Sequence, residues 1–343
     1  MTKEDQLIAR IEARLAKLRG RRALGGRSGA RRRSSSLALG PGDDACVLRA
    51  APDREWVVSC DAFLENVHFI RRLHAPETIG YKALARATSD LAAVGAAPRC
   101  FLLGLTLPSN LTGNWLDGLL DGLALAARKF GMELAGGDTS RTEGIAINLT
   151  VFGDVRSGTA VLRSGARPGD RIFVTGQLGA AQLGLEILLR GSSRRPGSRR
   201  YLAPHIKPDP PIALGQWLAR HRLATAMMDL SDGLSTDLDR LCRASGVGAR
   251  IQEARLPAAR VPESLRRKGI DALKLARDGG EDYQLLFTVP ERAAHRIPRR
   301  RDGVRITEIG EITRGRGVTI DSAAGASSPL TPRGWDPFAR LRT

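Results

Sequence analysis

The stretch "MDLSDGLSTDLD" (residues 228–239) sets four aspartates in twelve positions around a Ser-Asp-Gly turn, directly before a helix, in a chain of net charge +18. Glycine in such a turn lets the backbone approach a ligand closely, and loops after strand ends are where α/β proteins place their chemistry. Two further Gly-Asp sites lie upstream, in "GPGDDACVL" (40–48) and "GGDTSR" (136–141). Asp61 follows the apolar run "WVVSC", and Asp90 lies in or near the end of a helical stretch, "TSDLAAVG". Each acid alone has a local explanation: Asp232 or Ser231 can cap the helix that follows, and Asp44 can bond a turn amide. Taken together, Asp44, Asp61, Asp90, Asp138, Asp229 and Asp232 suggest one dispersed site. Carboxylates gathered in a cleft repel and stay ionised together only with cations between them. Hard divalent ions such as Mg²⁺ take oxygen ligands and share them with phosphates, so the residues point to magnesium and a polyphosphate. Asp237 and Asp239, further along the helix, read as solvated bystanders.

The glycines of "VTGQLGAAQLG" (174–184) match neither G-x-G-x-x-G nor the phosphate loop, because no lysine follows. They read as a tight strand-to-helix turn. The lone His74, His205, His221 and His295 read as surface or structural residues, since no H-x-x-x-H pair occurs.

A chain of 343 residues suffices for two domains. Its 42% apolar content suits a globular protein, and no apolar run approaches the roughly 18–20 residues of a membrane helix. The start, "MTKEDQLIARIEARLAKLR", has helical spacing of Leu7, Ile8, Ile11, Leu15 and Leu18 and lacks the features of a secretory signal. Cysteines 46, 60, 100 and 242 are scattered without a Cys-x-x-Cys pair, which fits reduced thiols in a cytoplasmic protein and speaks against structural zinc. Much of the positive charge falls at 19–36, 190–200 and 298–305, the first two rich in Gly and Ser. No aromatic residue interleaves with these runs, so they read as solvated surface rather than a nucleic-acid platform.

Strand patterns at "ACVLRA", "EWVVSCDAFLE" and "RCFLLGLTL" alternate with helices at "PETIGYKALARATSDLAAVG" and "NWLDGLLDGLALAARKFG". In the first helix Ile79, Leu84, Ala87 and Leu91 line one face; Gly131 is a candidate C-cap for the second. "MELAGGDTS" and "GIAINLTVFGDV" read as a strand, a loop and a longer strand. A layered α/β sandwich follows. "RSGARPGD" (163–170) reads as the connection to a second domain, in which strand, glycine turn and helices recur.

In order, "GPGDDACVL", "SCDAFLENVHF", "GYKALARATSDLAAVGAAP", "GGDTSR", "LRSGARPGD", "VTGQLGAAQLGL", "MDLSDGLSTDL", "GGEDYQLLF" and "GWDPF" resemble the thiamine-phosphate kinase family of the aminoimidazole ribonucleotide synthetase superfamily, from about residue 37 onward. The resemblance implies an α/β (mixed α+β) two-domain fold, with an N-terminal α/β sandwich at 37–156 and a C-terminal α/β domain at 157–343; the basic helix and flexible segment at 1–36 depart from the shorter family leader. It implies a cytoplasmic homodimer paired through the N-terminal domains. It also implies the reaction ATP + thiamine phosphate → ADP + thiamine diphosphate, with several Mg²⁺ ions. Asp44, Ser59, Cys60, Asp61, Asp90, Asp138, Asp229 and Asp232 match its metal positions. The family often has threonine at position 60; a thiol replaces a hydroxyl ligand poorly, while a backbone carbonyl would be unaffected. Gly137, Asp138, Arg163 and Ser231 match nucleotide-binding positions, and His68, Glu281 and Trp335 match contacts to thiamine phosphate. No general base is expected. Sibling synthetases of the superfamily and a nucleic-acid-binding protein driven by charge are the competing readings; the latter leaves the dispersed aspartates unexplained.

Overall fold

A computed structural model describes residues 7, 10, 11, 13–15, 37–39, 47–49, 51–191 and 198–336. Asp44, Phe338, residues 16–36 and residues 192–197 lie outside the described residues. Two compact units result: residues to Leu91 together with Ala96–Gly158, and Ala92–Gly95 together with Thr159 onward. No helix among the described residues is long and apolar enough to cross a membrane.

In the first unit, a short antiparallel pair joins β1 (Leu37–Leu39) and β2 (Val47–Leu48). The main sheet takes the order β3-β6-β4-β5, with β3 (Arg54–Leu64), β4 (Ala97–Leu107), β5 (Glu133–Arg141) and β6 (Ala146–Arg156). β3 pairs with β6 along its whole length, from Arg54↔Arg156 to Leu64↔Ala146. β4 and β5 are parallel, which requires a crossover, and α2 (Asn114–Phe130) supplies it. Helix α1 (Pro76–Ala93) buries Ile79, Leu84, Ala87 and Leu91, as its spacing predicts. The two helices cross on glycine: a Cβ at Gly80 would stand 2.0 Å from the Leu119 carbonyl oxygen, and one at Gly122 1.9 Å from that of Glu77. Gly131 ends α2 in the left-handed region at φ 71°, a conformation that favours glycine.

The structure corrects one local expectation here. "GGDTS" is no loop; the parallel ladder with β4 runs through it, pairing Gly137 with Leu103 and Asp138 with Gly104. The reason is close backbone approach: a Cβ at Gly137 would lie 2.0 Å from the Leu103 carbonyl oxygen, so the residue that looks like a turn former permits pairing instead.

The second unit holds a sheet in the order β14-β13-β9-β12-β7-β10-β8, with β11 (Arg300–Arg301) pairing beside β12. Its strands are β7 (Arg171–Thr175), β8 (Ala226–Leu230), β9 (Gly248–Gln252), β10 (Gln284–Val289), β12 (Val304–Thr313), β13 (Gly317–Asp321) and β14 (Ser327–Pro329). Its centre is apolar on both faces because both are covered. Met228, Leu230, Ile172, Val174 and Leu286 pack with Leu234, Leu238 and Leu241 of helix α6 (Leu234–Ser245). Met227, Phe173, Leu285 and Phe287 pack with Leu214 and Leu218 of α5 (Ile212–Arg220). Phe173 and Phe287, cross-strand partners, stack with centroids 5.4 Å apart. Two further helices of this unit, α3 (Ala180–Leu189) and α4 (Arg199–Ile206), pack closely against each other at Gly184. The third basic run is ordered rather than a loose tail: Arg301 in β11 lies over the Trp217 ring, 4.3 Å from its centroid, a cation–π contact.

Candidate functional site

Strand β8 ends at Leu230, and Ser231-Asp232-Gly233 turns the chain into α6. Gly233 adopts φ 112°, and a Cβ there would meet the Asp278 carbonyl group at 2.9 Å, so both conformation and space call for glycine. Asp237, from the first turn of α6, reaches back and accepts the N–H groups of Asp232 and Gly233, each at 3.0 Å. Its side chain is 0% exposed, which corrects the reading of Asp237 as solvated. Helix N-terminal N–H groups need acceptors, and a carboxylate there is also favoured by the helix dipole. Burial, with Asp232 close by, pushes the Asp237 carboxyl up to about 6. Arg240 bridges the two acids, with Nη1 3.0 Å from Asp237 Oδ1 and paired to Asp232 Oδ2. Asp239 is partly buried and pairs with Arg243 at 2.8 Å.

Three more of the expected site residues converge on this turn. Ser231 offers its carbonyl oxygen to the Glu281 N–H at 2.7 Å, and the Asp232 carbonyl accepts the Trp335 N–H at 2.9 Å. The Trp335 segment docks further through Gly334 N–H to Thr236 Oγ1 (3.0 Å) and Arg333 N–H to Ser235 Oγ (3.2 Å). Ser231, Asp232, Glu281 and Trp335, spread over more than a hundred residues of sequence, thus share one edge of the second unit. Glu281 and Tyr283 adopt φ 67° and 49°; non-glycine residues held there cluster at ligand-binding loops. Asp229 sits buried in β8, opposite Leu285 of β10. Arg163 is not brought to this turn. Its carbonyl accepts Ser245 Oγ at 3.1 Å, at the far end of α6, which is about 18 Å from the Asp232 end for a helix of 12 residues.

The glycine turn before α3 carries its own anion. Asp282 accepts the N–H groups of Gly179 at 2.5 Å and Ala181 at 3.0 Å. The helix N-terminus that a phosphate would need is filled by a protein carboxylate, which accounts for "VTGQLGAAQLG" as a packed strand-to-helix turn. Burial pushes the Asp282 carboxyl up to about 7, above the usual 3.8. The folded state therefore holds this proton more tightly than the unfolded chain does. Its contribution to stability is full below about pH 4 and is lost as pH rises to about 7. The unfolding free energy of the wild type minus that of Asp282→Asn is expected to fall across this window and level above it. Urea melts at several pH values check this, and a flat difference would contradict it.

In the first unit, β3 alternates: Ser59 and Asp61 face α1, while Cys60 faces the other way. Ser59 Oγ donates to Asp90 Oδ2 of α1, and Asp61 Oδ2 lies 3.3 Å from Arg86 Nε. Cys60 Sγ instead accepts from Thr150 Oγ1 at 3.5 Å. Because adjacent strand residues point to opposite faces, the thiol cannot join the Ser59 and Asp61 side chains, and any contribution from position 60 to their site would come through its backbone. His68 accepts the Leu64 N–H on Nδ1 at 3.0 Å and stacks on Phe63, centroids 5.6 Å apart; an accepting Nδ1 puts the ring proton of the neutral imidazole on Nε2. Gly137 and Asp138 are exposed on β5.

Among the described residues, no three His, Cys, Asp or Glu stand close enough together to hold a metal ion by themselves. Of the expected ligands, Asp90, Asp61 and Asp232 are held by Ser59, Arg86 and Arg240 respectively. With the thiol turned away, the donors Ser59, Asp61 and Asp90 of the first unit are all oxygen, as are Asp229 and Asp232 of the second, the chemistry a hard divalent cation takes. Sequence reasoning missed three residues here: Asp237, Asp282 and His205. His205 is buried, with Nδ1 3.2 Å from Glu281 Oε2, so of the two readings, surface or structural, the surface one is excluded. His74 is structural, its Nδ1 3.0 Å from the Ile70 carbonyl oxygen.

Two family profiles match the chain: AIR synthase related protein, N-terminal domain, over residues 42–155, and AIR synthase related protein, C-terminal domain, over 167–322. A thiamine-monophosphate kinase of Escherichia coli (strain K12) is 39% identical over 317 residues, 90% of this chain and 94% of that one. The crystal structure of a thiamine-monophosphate kinase from Stenotrophomonas maltophilia K279a superposes with a TM-score of 0.77 at 32% identity, covering 94% of this chain and 96% of that one. The structure of AaThiL complexed with AMPPCP and TMP superposes with a TM-score of 0.73 at 33% identity, covering 83% and 88%.

Proposed function

The chain belongs to the thiamine-monophosphate kinase family of AIR synthase related proteins, and from that premise we propose how it phosphorylates thiamine phosphate with ATP. The observation that carries the reading is the convergence of Glu281 and Trp335 on the Ser231-Asp232 turn through backbone hydrogen bonds, Glu281 to the Ser231 carbonyl and Trp335 to that of Asp232. It sets a carboxylate able to hold a cation beside two residues suited to the acceptor. Trp335, 46% exposed, offers an aromatic face to a permanent thiazolium cation, and Glu281 offers an acceptor to an aminopyrimidine. His68 is assigned to the same substrate, and Gly137, Asp138, Arg163 and Ser231 to ATP.

The acceptor is a phosphate monoester whose second pKa is about 6, so its oxygen is already deprotonated near neutral pH. The bond from the terminal phosphorus to ADP breaks while a bond to this oxygen forms, and no proton must be removed. No general base is therefore assigned. The chain's task is to bring two polyanions into line without repulsion. Asp44, Ser59, the backbone of Cys60, Asp61, Asp90, Asp138, Asp229 and Asp232 would hold Mg²⁺, which when bound neutralises phosphate charge. Arg86 and Arg240, now paired to Asp61 and Asp232, place positive charge beside those two carboxylates.

The sheet face opposite α1 bears Val58, 54% exposed, with Cys60, Thr150 and half-buried Leu102 in register beside it. An apolar face of this kind suits a second copy of the chain, which supports the homodimer. Cys60, Cys100 and Cys242 are free thiols, in keeping with a reducing cytoplasm.

A coupled assay with ATP, Mg²⁺ and thiamine phosphate tests the reaction. Thiamine diphosphate and ADP are expected in equal amounts. Thiamine, whose alcohol would require a base, is expected to be phosphorylated at less than about a hundredth of that rate. No product from folded, magnesium-loaded protein would overturn the reading.

A further inference from the structure

His205 lies in α4, only 1% exposed. Its place is fixed by close packing of α4 on α3, where a Cβ at Gly184 would stand 2.8 Å from His205 Cβ and 2.8 Å from the Tyr201 carbonyl oxygen. The imidazole is thus part of a rigid wall. Glu281 is the opposite kind of residue: a long side chain, 24% exposed, on a loop between helix α7 (Ala272–Asp278) and β10. Nδ1 of His205 lies 3.2 Å from Oε2 of Glu281. A carboxylate only accepts, so Nδ1 carries the proton in this pair.

The backbone of Glu281 is also held. Its N–H bonds the Ser231 carbonyl, its φ of 67° is left-handed, and the next residue, Asp282, is anchored to the α3 N-terminus. Backbone constraint alone leaves the side-chain torsions of a glutamate free. The contact with His205 ties one carboxylate oxygen to the wall, so the headgroup presents a defined direction beside Ser231 and Asp232. Preorganisation of this kind raises affinity by removing an ordering cost at binding.

We infer that His205 is a positioning residue for the acceptor substrate, holding the Glu281 carboxylate toward a hydrogen-bond donor such as an exocyclic ring amine and so setting affinity for thiamine phosphate without affecting ATP. This rests on the reading of Glu281 as a contact to that substrate.

The test is steady-state kinetics of the full chain with His205→Leu, His205→Asn, Glu281→Ala and the double variant His205→Leu/Glu281→Ala, alongside thermal melts. His205→Leu is expected to raise KM for thiamine phosphate about tenfold, with kcat and KM for ATP within about twofold of wild type. His205→Asn, which returns an N–H donor near the lost one, recovers most of the loss. The double variant is no worse than Glu281→Ala alone, because the histidine acts through the glutamate. If His205→Leu does not fold, Glu281→Asp asks the same question from the exposed side: a carboxylate one methylene shorter cannot span from His205 to the ligand and is expected to raise the same KM. The inference falls if KM for ATP rises in step with that for thiamine phosphate. It also falls if neither His205→Leu nor Glu281→Asp moves KM for thiamine phosphate while Glu281→Ala does. An unchanged KM in Glu281→Ala would instead remove the assignment of Glu281 itself, and this inference with it.

Discussion

Asp232→Asn lowers kcat for thiamine diphosphate formation by on the order of 10³-fold, because several kcal/mol of charge stabilisation by a bound cation are lost with one carboxylate. The substitution preserves size, and the turn does not depend on the Asp232 side chain. Its backbone N–H is held by Asp237, its carbonyl by Trp335, and Gly233 makes the turn. The fold is therefore expected to survive, with Arg240 retaining Asp237 as its partner at 3.0 Å. The measurement is the coupled assay over a magnesium titration, with melting curves of both proteins. The wild type should gain melting temperature with magnesium and ATP together, as any ligand of the folded state provides, and the variant should gain much less. A variant within tenfold of wild-type kcat would remove Asp232 from the proposed metal set.

Gly334→Val raises KM for thiamine phosphate about 30- to 100-fold. A Cβ at this position would stand 2.0 Å from the Asp232 carbonyl oxygen and 2.7 Å from Thr236 Oγ1. The nearer atom is backbone at the start of α6 and has little room to yield, so the segment must lift away. Three consecutive hydrogen bonds from Arg333, Gly334 and Trp335 go with it, each worth about 1 kcal/mol net. The loss is of the same size as the expected change in KM. Trp335 then no longer stands beside Glu281 and Ser231. The rest of the second unit keeps its sheet and both apolar layers, so the variant still folds, with a melting temperature lowered by several degrees. Kinetics for each substrate, with Trp fluorescence quenching as an independent readout of exposure, check this. An unchanged KM for thiamine phosphate would mean that the 334–336 segment does not serve the acceptor.

Much of the element pattern was legible because it is local. The spacing of Ile79, Leu84, Ala87 and Leu91, the Gly131 cap and the apolar strand "RCFLLGLTL" depend on neighbours within a few residues, and the structure has them as expected. "GGDTS" was misread because glycine signals both a turn and a close backbone approach, and only the presence of β4 alongside decides between them. Asp237 was misread because "STDLDRL" alone reads as an exposed helix start, whereas its carboxylate turns back onto the Asp232 and Gly233 N–H groups and is buried there.

By itself, then, the chain determined a two-domain α/β class, a family, and the set of acid-bearing loops, since periodicity, glycine placement and ordered motifs are properties of short segments. Only the tertiary structure decided what each acid faces. Asp282 caps a helix 103 residues upstream in sequence, Glu281 meets the buried His205, and the Cys60 thiol points away from Ser59 and Asp61. The first two follow from the order β7-β10-β8, which sets the loop before β10 beside the turns after β7 and β8. The third is local in part, since strand alternation sets the thiol opposite Ser59 and Asp61, and only the choice of the face that α1 covers is tertiary. The strand order and the covered face are long-range packing outcomes, and no local pattern of residues encodes them.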